Sequence, residues 1–477
     1  MIDTKALRKR IIDLAVSGKL NECTNKSASE ELKRIISDLG NSKQREILDE
    51  EKWTDIPSNW TWTRLADLTT NDTLNDGNWV LSEDMVPDGE VKLIQLGSIG
   101  DCEYRFKGFK YLTEKHFKEL NGRQIYPGYL LINRLVVDKM LSCIIPDIKG
   151  ILITAVDVCW VAPNENYYSI DYLMYVMSSS GIQQRVQELG HGVTRFRISK
   201  LNLIDIAFPM PPLDEQRMIV NTINELYSIL NKIDNLQAKY SNDLAVLKSK
   251  IIDAGIQGKL TERLPEDGDA ETLYAQIQKE KEKLIKEGKI KKEKPLADIT
   301  ADEIPFEIPK NWKWVRIANV GLTATGTTPP KGNKEYYGGN YPFFKPSDLD
   351  VGRHISIGSE SLTDDGWNVS RQLRKGSILV CCIGTIGKSA IIDVDGTTNQ
   401  QINAITPILC DSDYILYAID SDSFQKQLQQ GSRATTVTII KKSKFDECII
   451  PLPTLSEQKR VSERINELLS MMELIEK

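Results

Sequence analysis

Histidine is the scarcest chemistry-bearing residue: His116, His191 and His354 are the only three in 477 residues. Imidazoles this scattered do not form a zinc-ligand spacing, so no metal site is expected. Eight cysteines occur without CxxC spacing, and the Cys381–Cys382 neighbours suit a buried strand in a reducing compartment. No apolar run approaches the roughly 18 residues of a membrane-spanning helix. The opening MIDTKALRKR also lacks a signal-peptide core, so no membrane segment and a cytoplasmic location are expected. GTIGKS (384–389) imitates a phosphate-binding loop, but Cys382 stands where GxxxxGK[ST] needs glycine. The amide cradle is then incomplete, and a strand–turn is expected instead. Gly190-His191-Gly192 and Gly97-Ser98-Ile99-Gly100 read as turns, not as a dinucleotide fingerprint. The net charge of −6 argues against indiscriminate coating of nucleic acid and leaves room for local basic surfaces.

What the chain contains is itself, twice. PMPPLDEQRMI (209–219) returns as PLPTLSEQKRV (451–461), and LRKRIIDLAVSGKL (7–20) returns as LKSKIIDAGIQGKL (247–260). IPSNWTWTRL (56–65) returns as IPKNWKWVRI (308–317). Two similar halves imply a pseudo-twofold molecule suited to gripping something that itself has two separated halves. The length exceeds one core, and 40% hydrophobic with 27% charged content is ordinary for a folded chain.

Ile219, Ile223, Leu226, Leu230, Ile233, Tyr240, Leu244, Leu247 and Ile251 step by fours and threes, broken only by Gln237. This predicts a coiled-coil seam on a helix that opens after PMPP and fades near Gly255 and Gly258. Roughly 40 residues at about 1.5 Å each make a rod of about 60 Å, which needs a partner. Val461, Ile465, Leu468, Met472 and Ile475 repeat the register, and Leu7, Ile11 and Leu14 match Leu247, Ile251 and Ala254. Lys477 aligns with Asn235 and Met1 with Ser241, so the termini are expected to rebuild most of a second, antiparallel helix.

In the first module, YPGYLLIN (126–133) and GILITAVDVCWVAP (150–163) predict buried strands; in the second, KGSILVCCIG (375–384) and NAITPIL (403–409) do. A polar-rich helix around 170–187 or 412–429 follows in each. The closing segments HGVTRFRISKLNLIDIAFP (191–209) and RATTVTIIKKSKFDECIIP (433–451) align without gaps. The expected class is α+β: two mixed α/β domains separated by a long antiparallel two-helix coiled coil. The expected divisions are an N-terminal helix (1–20), a helical connector (21–52), the first module (53–210) and the central helix (211–262). A Lys/Glu-rich connector (263–307), the second module (308–453) and the C-terminal helix (454–477) complete them. Trp60, Trp62, Trp312 and Trp314 alternate along strands, so one of each pair is expected to pack inward and anchor its module to the helix.

The duplicated PxPxLxEQ before a heptad helix, IIDxxxxGKL and IPxNWxWxRI resemble the specificity subunit of type I restriction–modification systems. GTTPPKGNKEYYGGNYPFFKPSDL (326–349), GSILVCCIGTIGK and TTNQQINA (397–404) are similar to that family's recognition domain. The likeness covers essentially the whole chain; the stretch from Thr69 to Val91 departs from the pattern. It implies a non-catalytic subunit of a phage-defence system, with two target-recognition domains each reading half of a bipartite, asymmetric site on double-stranded DNA. The paired helices would hold the domains apart and dock two methyltransferase subunits carrying S-adenosylmethionine. A restriction/translocase subunit using ATP and Mg would join them, and this chain would bind no cofactor itself. The lack of an Asn/Asp-Pro-Pro-aromatic motif for base methylation agrees. A coiled-coil adaptor presenting two domains to proteins, or a sequence-reading subunit of a modification-only or single-polypeptide system, remains the alternative.

Candidate DNA-binding residues follow from charge and hydrogen-bonding capacity. The closing segments offer His191, Thr194, Arg195, Arg197 and Lys200, and Arg433, Thr435, Thr436, Lys441 and Lys442, with no acidic residue in 191–204 or 433–445. Arg134 and Lys139, Lys331, Lys334 and Lys345, and Asn399, Gln400 and Gln401 extend the set. Asn and Gln suit adenine, although the NQQ run equally suits a turn cap. Glu215, Gln216, Glu457 and Gln458 recur at a helix start, a structural place first and a partner-docking surface second.

Overall fold

The computed structural model describes residues 1–40, 45–192, 195–292, 294–431 and 439–476. The chain is α+β and forms two compact units, Met1–Ala238 and Lys239–Lys477. One helix, Leu213–Ile256, contributes its first part to one unit and the remainder to the other. Among the described residues no helix is long and apolar enough to cross a membrane.

Both units carry the same sheet order. In the first, Leu74–Asp76, Val158–Val161, Leu130–Asn133 and Ser142–Ile144 lie in that order, all antiparallel. A second sheet sets Val91–Ile94 antiparallel to Phe109–Leu112 and parallel to Ile151–Thr154. In the second unit, Gly321–Thr325, Ile402–Pro407, Ile378–Cys381 and Ser389–Ile392 repeat the first order, with His354–Ile355 added at the edge. Tyr337–Phe344 lies between Glu360–Leu362 and the parallel Thr397–Thr398. The duplication therefore holds through Thr69 to Val91, where the residue pattern is weakest.

GILITAVDVCWVAP proves to be two strands in different sheets, parted at the turn where Val158 N donates to Ala155 O at 3.0 Å. Each polar-rich helix is also two, Ile170–Ser178 with Ser180–Leu189 and Ser412–Asp420 with Asp422–Gly431. Ser179 and Ser421 between them are extended, at ψ 150° and 146°. The free amide that each break creates is met from outside by the repeated IID aspartate. Asp13 Oδ1 accepts from Ser180 N at 2.8 Å, and Asp253 Oδ1 from Asp422 N at 2.9 Å.

The terminal helices run antiparallel to the long one, as the register predicts. In the first unit Thr4 reaches Asp234, Arg8 bonds Asn231 and Asp234 at 2.8 Å, and Asn21 bonds Thr222 at 2.7 Å. In the second, Tyr240 OH donates to Ile475 O at 3.4 Å, and Gly255 sits so close to Ile465 that a Cβ would collide with it. Ile219, Ile223 and Leu230 are buried, as are Ile256, Val461, Ile465 and Met472. Tyr240 and Leu247 of the seam are exposed, so it is not closed over its whole length. Periodicity marks an apolar face without fixing whether the chain covers it.

The repeated motifs interlock through the same residue pairs in each unit. Trp60 Nε1 donates to Glu215 Oε2 at 2.6 Å and Trp312 Nε1 to Glu457 Oε2 at 3.1 Å; Asn59 and Asn311 bond the same carboxylates at 2.7 and 3.0 Å. Gln216 Oε1 accepts from Ser169 N at 2.9 Å, and Gln458 Oε1 from Asp411 N at 2.8 Å. Trp62 packs edge-on against Trp53, and Trp314 against Phe306. Arg64 bonds Glu51 at 3.0 Å, and Arg316 does the same for Glu303, holding that carboxyl down at about 2. Gly18 and Gly258, both at φ +69°, press on Pro57 and Pro309, where a side chain would collide. Trp60 and Trp312 are thus the inward anchors expected of each pair.

This interlock corrects one expectation. Glu215, Gln216, Glu457 and Gln458 are at most 3% exposed and bonded inside their own units, so they offer no surface to a partner. A buried carboxylate is tolerated there because indole and amide donors converge on it.

Candidate nucleic-acid interface

Each module has a hairpin whose tip is zipped to the closing segment. In the first, the hairpin joining Leu130–Asn133 to Ser142–Ile144 meets 195–198. Val136 N donates to Phe196 O at 2.9 Å and Ile198 N to Arg134 O at 3.1 Å. His191 and Arg197 exchange both backbone hydrogen bonds at 2.9 Å, closing a small loop. His191, Arg195 and Arg197 are exposed on this edge, and Val137 at the hairpin tip is 87% exposed.

Arg134 is not on that surface. It is buried, donating to Ile198 O at 3.0 Å and Val156 O at 2.7 Å, with Nε 3.0 Å from Asp76. Its guanidinium ties the hairpin, the closing segment and the 155–157 turn together, which corrects its assignment as a DNA contact. Lys139 pairs with Asp101, Lys200 donates to Asn75 Oδ1 at 3.0 Å, and Arg197 lies 3.5 Å from Asp157. Burial dominates at Asp76 and raises its carboxyl above the usual range, against the opposing pull of Arg134, Lys200 and Arg123.

The second module builds the same edge from the segment that imitates a phosphate loop. Cys382 to Lys388 is the turn between Ile378–Cys381 and Ser389–Ile392, with Gly384 and Gly387 at φ +83° and +87°. A strand follows the glycines instead of a helix, so the strand–turn reading holds. Ile440 N donates to Cys382 O at 2.9 Å, and Ile383 bridges Ile439 as Leu135 bridges Arg197. Sequence reasoning alone does not place this hairpin at the edge. Its signal was the repeat itself, since it holds the same place between strands as 134–139.

Cys382 N also donates to Gln401 O at 2.8 Å, bringing the NQQ turn to the edge. Asn399 is buried there, its Oδ1 accepting from Gln401 N at 3.0 Å and its Nδ2 donating to Gln401 Oε1 at 2.9 Å. The turn-cap reading wins for Asn399, correcting it as a base contact; Gln401 is half-buried, its Oε1 taken by Asn399. Gln400 is exposed, its Oε1 accepting from Thr328 Oγ1. Lys331, Lys334 and Lys441 are exposed; Lys345 is half-buried against Glu360, and Lys442 pairs with Asp446 at 2.7 Å. Thr194, Arg433, Thr435 and Thr436 lie outside the described residues.

This edge carries exposed hydrogen-bond donors, among them His191, Arg195, Arg197 and Lys441. Among the described residues no cluster of His, Cys, Asp or Glu could hold a metal ion. Burial pushes the thiols of Cys102, Cys143, Cys159 and Cys448 up to about 12, far from a reactive thiolate.

Residues 309–477 match the family described as type I restriction modification DNA specificity domain. The chain is 25% identical over 378 residues to the EcoAI specificity subunit of Escherichia coli, covering 66% of this chain and 62% of that protein. It is 32% identical over 163 residues to the MjaIX specificity subunit of Methanocaldococcus jannaschii, 33% of this chain and 37% of that one. The chain thus spans less than two thirds of the length of these relatives. A solved structure described as the basis of complex assembly and conformational transition of the type I R-M system shares the fold. Its TM-score is 0.56 at 17% identity, over 88% of this chain and 92% of that one. The repeated interlock, the twice-built edge and these likenesses agree: residues 309–477 match the type I restriction modification DNA specificity domain, and about two thirds of the chain is similar to a type I restriction enzyme specificity subunit.

Proposed function

We propose that this chain is the non-catalytic DNA-reading subunit of a type I restriction–modification complex, each module reading one half of a bipartite, asymmetric duplex site. One observation carries this reading. The residues that recur between the halves, such as Trp60 with Glu215 and Trp312 with Glu457, are internal, whereas the exposed edges differ, Arg195 and Arg197 in one and Gln400 and Lys441 in the other. One frame carrying two different edges suits two different half-sites.

The partners are two methyltransferase subunits and restriction/translocase subunits. S-adenosylmethionine belongs to the former and ATP with Mg to the latter, with no cofactor held by this chain. Co-expression with the methyltransferase subunit, followed by methylome sequencing, tests the proposal: a split recognition sequence is expected. Methyl transfer by the purified chain alone, or an unsplit site, would overturn it.

A further inference from the structure

Gly77 N donates to Val158 O at 2.8 Å, and Gly326 N to Ile402 O at 3.0 Å. A Cβ on either glycine would collide with a backbone oxygen of the facing turn, Ala155 O in one module and Asn399 O in the other. Arg134 N donates to Asp157 O and Cys382 N to Gln401 O, both at 2.8 Å, which sets Val156 opposite Gln400 in the comparison. The two glycines therefore mark the same place, and two residues beyond them stand Trp79 and Thr328. Thr328 is the hydroxyl that holds the exposed Gln400 amide. Trp79 takes its place where the facing turn has valine instead of glutamine.

Trp79 is 69% exposed and directly follows Asn78, which is held on both its backbone and its side chain. Asn78 N donates to Thr154 O at 2.7 Å; its side chain accepts from Arg123 N at 2.6 Å and donates to Arg123 O at 2.9 Å. The residue that presents the indole is thus clamped, which lowers the ordering entropy lost on contact. Two exposed arginines stand on the same segments: Arg123 is beside Asn78, and Arg197 lies 3.5 Å from Asp157 in the facing turn. A flat apolar face near exposed guanidinium groups suits a ligand with an anionic backbone and stacked or methyl-bearing edges.

We propose that Trp79 is a base-contacting specificity residue of the first module, placing its indole in the DNA groove where the second module places Thr328 and Gln400. This rests on the DNA-reading function proposed above. The test uses the complex of the full chain with its methyltransferase subunit and a duplex bearing the site identified by methylome sequencing. Trp79→Ala is expected to weaken binding about tenfold or more. It should shrink the penalty for scrambling the first half-site, leave the second half-site's penalty unchanged, and keep the thermal midpoint. Trp79→Phe should retain most of the affinity.

Unchanged affinity and first-half discrimination in Trp79→Ala would overturn the assignment. A lowered thermal midpoint would make the residue structural, and loss of the methyltransferase subunit on purification would make it a protein contact; either overturns it. A wild-type complex that binds site and scrambled duplex equally would overturn the DNA-reading function itself, and this failure is visible before any variant is made.

Discussion

Trp60 donates its indole N–H to Glu215 Oε2, and Trp312 does the same to Glu457, yet the two carboxylates are not equally used. Glu215 Oε1 also accepts from Thr24 N at 2.6 Å, Thr24 Oγ1 at 2.7 Å and Asn59 Nδ2 at 2.7 Å. At Glu457 both donors share Oε2, and the buried Oε1 accepts from none of the described residues. A glutamine at 215 must turn its NH2 toward an N–H donor in either orientation, whereas at 457 it can turn its oxygen to both donors. Glu215→Gln should therefore cost about 2–3 kcal/mol and Glu457→Gln about 1 kcal/mol or less. Urea unfolding checks this; equal losses would contradict the asymmetry.

The helix breaks at Ser179 and Ser421 depend on aspartates far away in sequence. Asp13 meets both Ser180 N and Ser180 Oγ, at 2.8 and 2.7 Å, while among the described residues only the backbone amide of Asp422 bonds Asp253, at 2.9 Å. Asp13→Ala should cost about 1–2 kcal/mol and Asp253→Ala about 1 kcal/mol. Hydrogen exchange should speed up in the first turn of Ser180–Leu189 and Asp422–Gly431 respectively. Exchange unchanged there would show that the caps are incidental.

His354 lies 3.0 Å from both Asp393 and Asp413, bridging an edge strand to the start of Ser412–Asp420. Burial pulls its imidazole down, but the two carboxylates outweigh this and hold it above 6.5. A folded pKa raised above the unfolded one stabilises fully below pH 6.5 and loses that contribution as pH rises through the folded value. The second unit's melting temperature should therefore fall as pH rises from 6 toward 8 in the wild type, and His354→Asn should flatten that slope. An identical slope in the variant would remove His354 from the account.

The frame is legible in the sequence because it recurs. Asn59, Trp60 and Glu215 have their copies in Asn311, Trp312 and Glu457, and a buried interlock keeps its residue types. The edge is less legible because cations and amides do not announce their geometry. Arg134 reads as a free charge, yet two carbonyls and Asp76 enclose it; Asn399 reads as an adenine fork, yet it caps its own turn. Trp79 escapes notice because its significance lies in the Gly77 turn, whose close backbone approach only three dimensions reveal.

Electrostatics sets the expectation for the first module's edge. Arg195 and Arg197 are exposed, and Arg197 is only loosely tied to Asp157 at 3.5 Å. If both meet phosphates, Arg195→Ala with Arg197→Ala should lower the slope of log affinity against log salt by about 2. Asp157→Asn should tighten binding by releasing Arg197. Filter-binding or anisotropy titrations across salt concentrations measure both effects, and an unchanged slope would take this loop off the DNA.

The second module enters and leaves through one antiparallel pair, Lys313–Arg316 with Ile449–Leu452, just as the first does through Thr61–Arg64 with Ala207–Met210. Entry and exit are thus neighbours, and the module's attachments to its helices can be named. They include Asn311 and Trp312 to Glu457, Asp411 N to Gln458 at 2.8 Å, Tyr417 OH to Asn466, Lys281 to Ala318 O at 2.6 Å, and Asp422 N to Asp253. Tyr414 OH to Pro451 O at 2.9 Å braces the exit strand from within. A foreign module spliced in for 308–453 should fold and assemble if it supplies these partners. It should change one half of the methylated sequence and leave the other half and the spacer intact. A graft that also carries Trp312→Phe loses the indole donor and leaves Glu457 short of a bond, so its thermal midpoint should drop by a few degrees with the same half-site read. Methylome sequencing of strains carrying each graft decides the matter. If the untouched half-site changed as well, the two modules would not read independently.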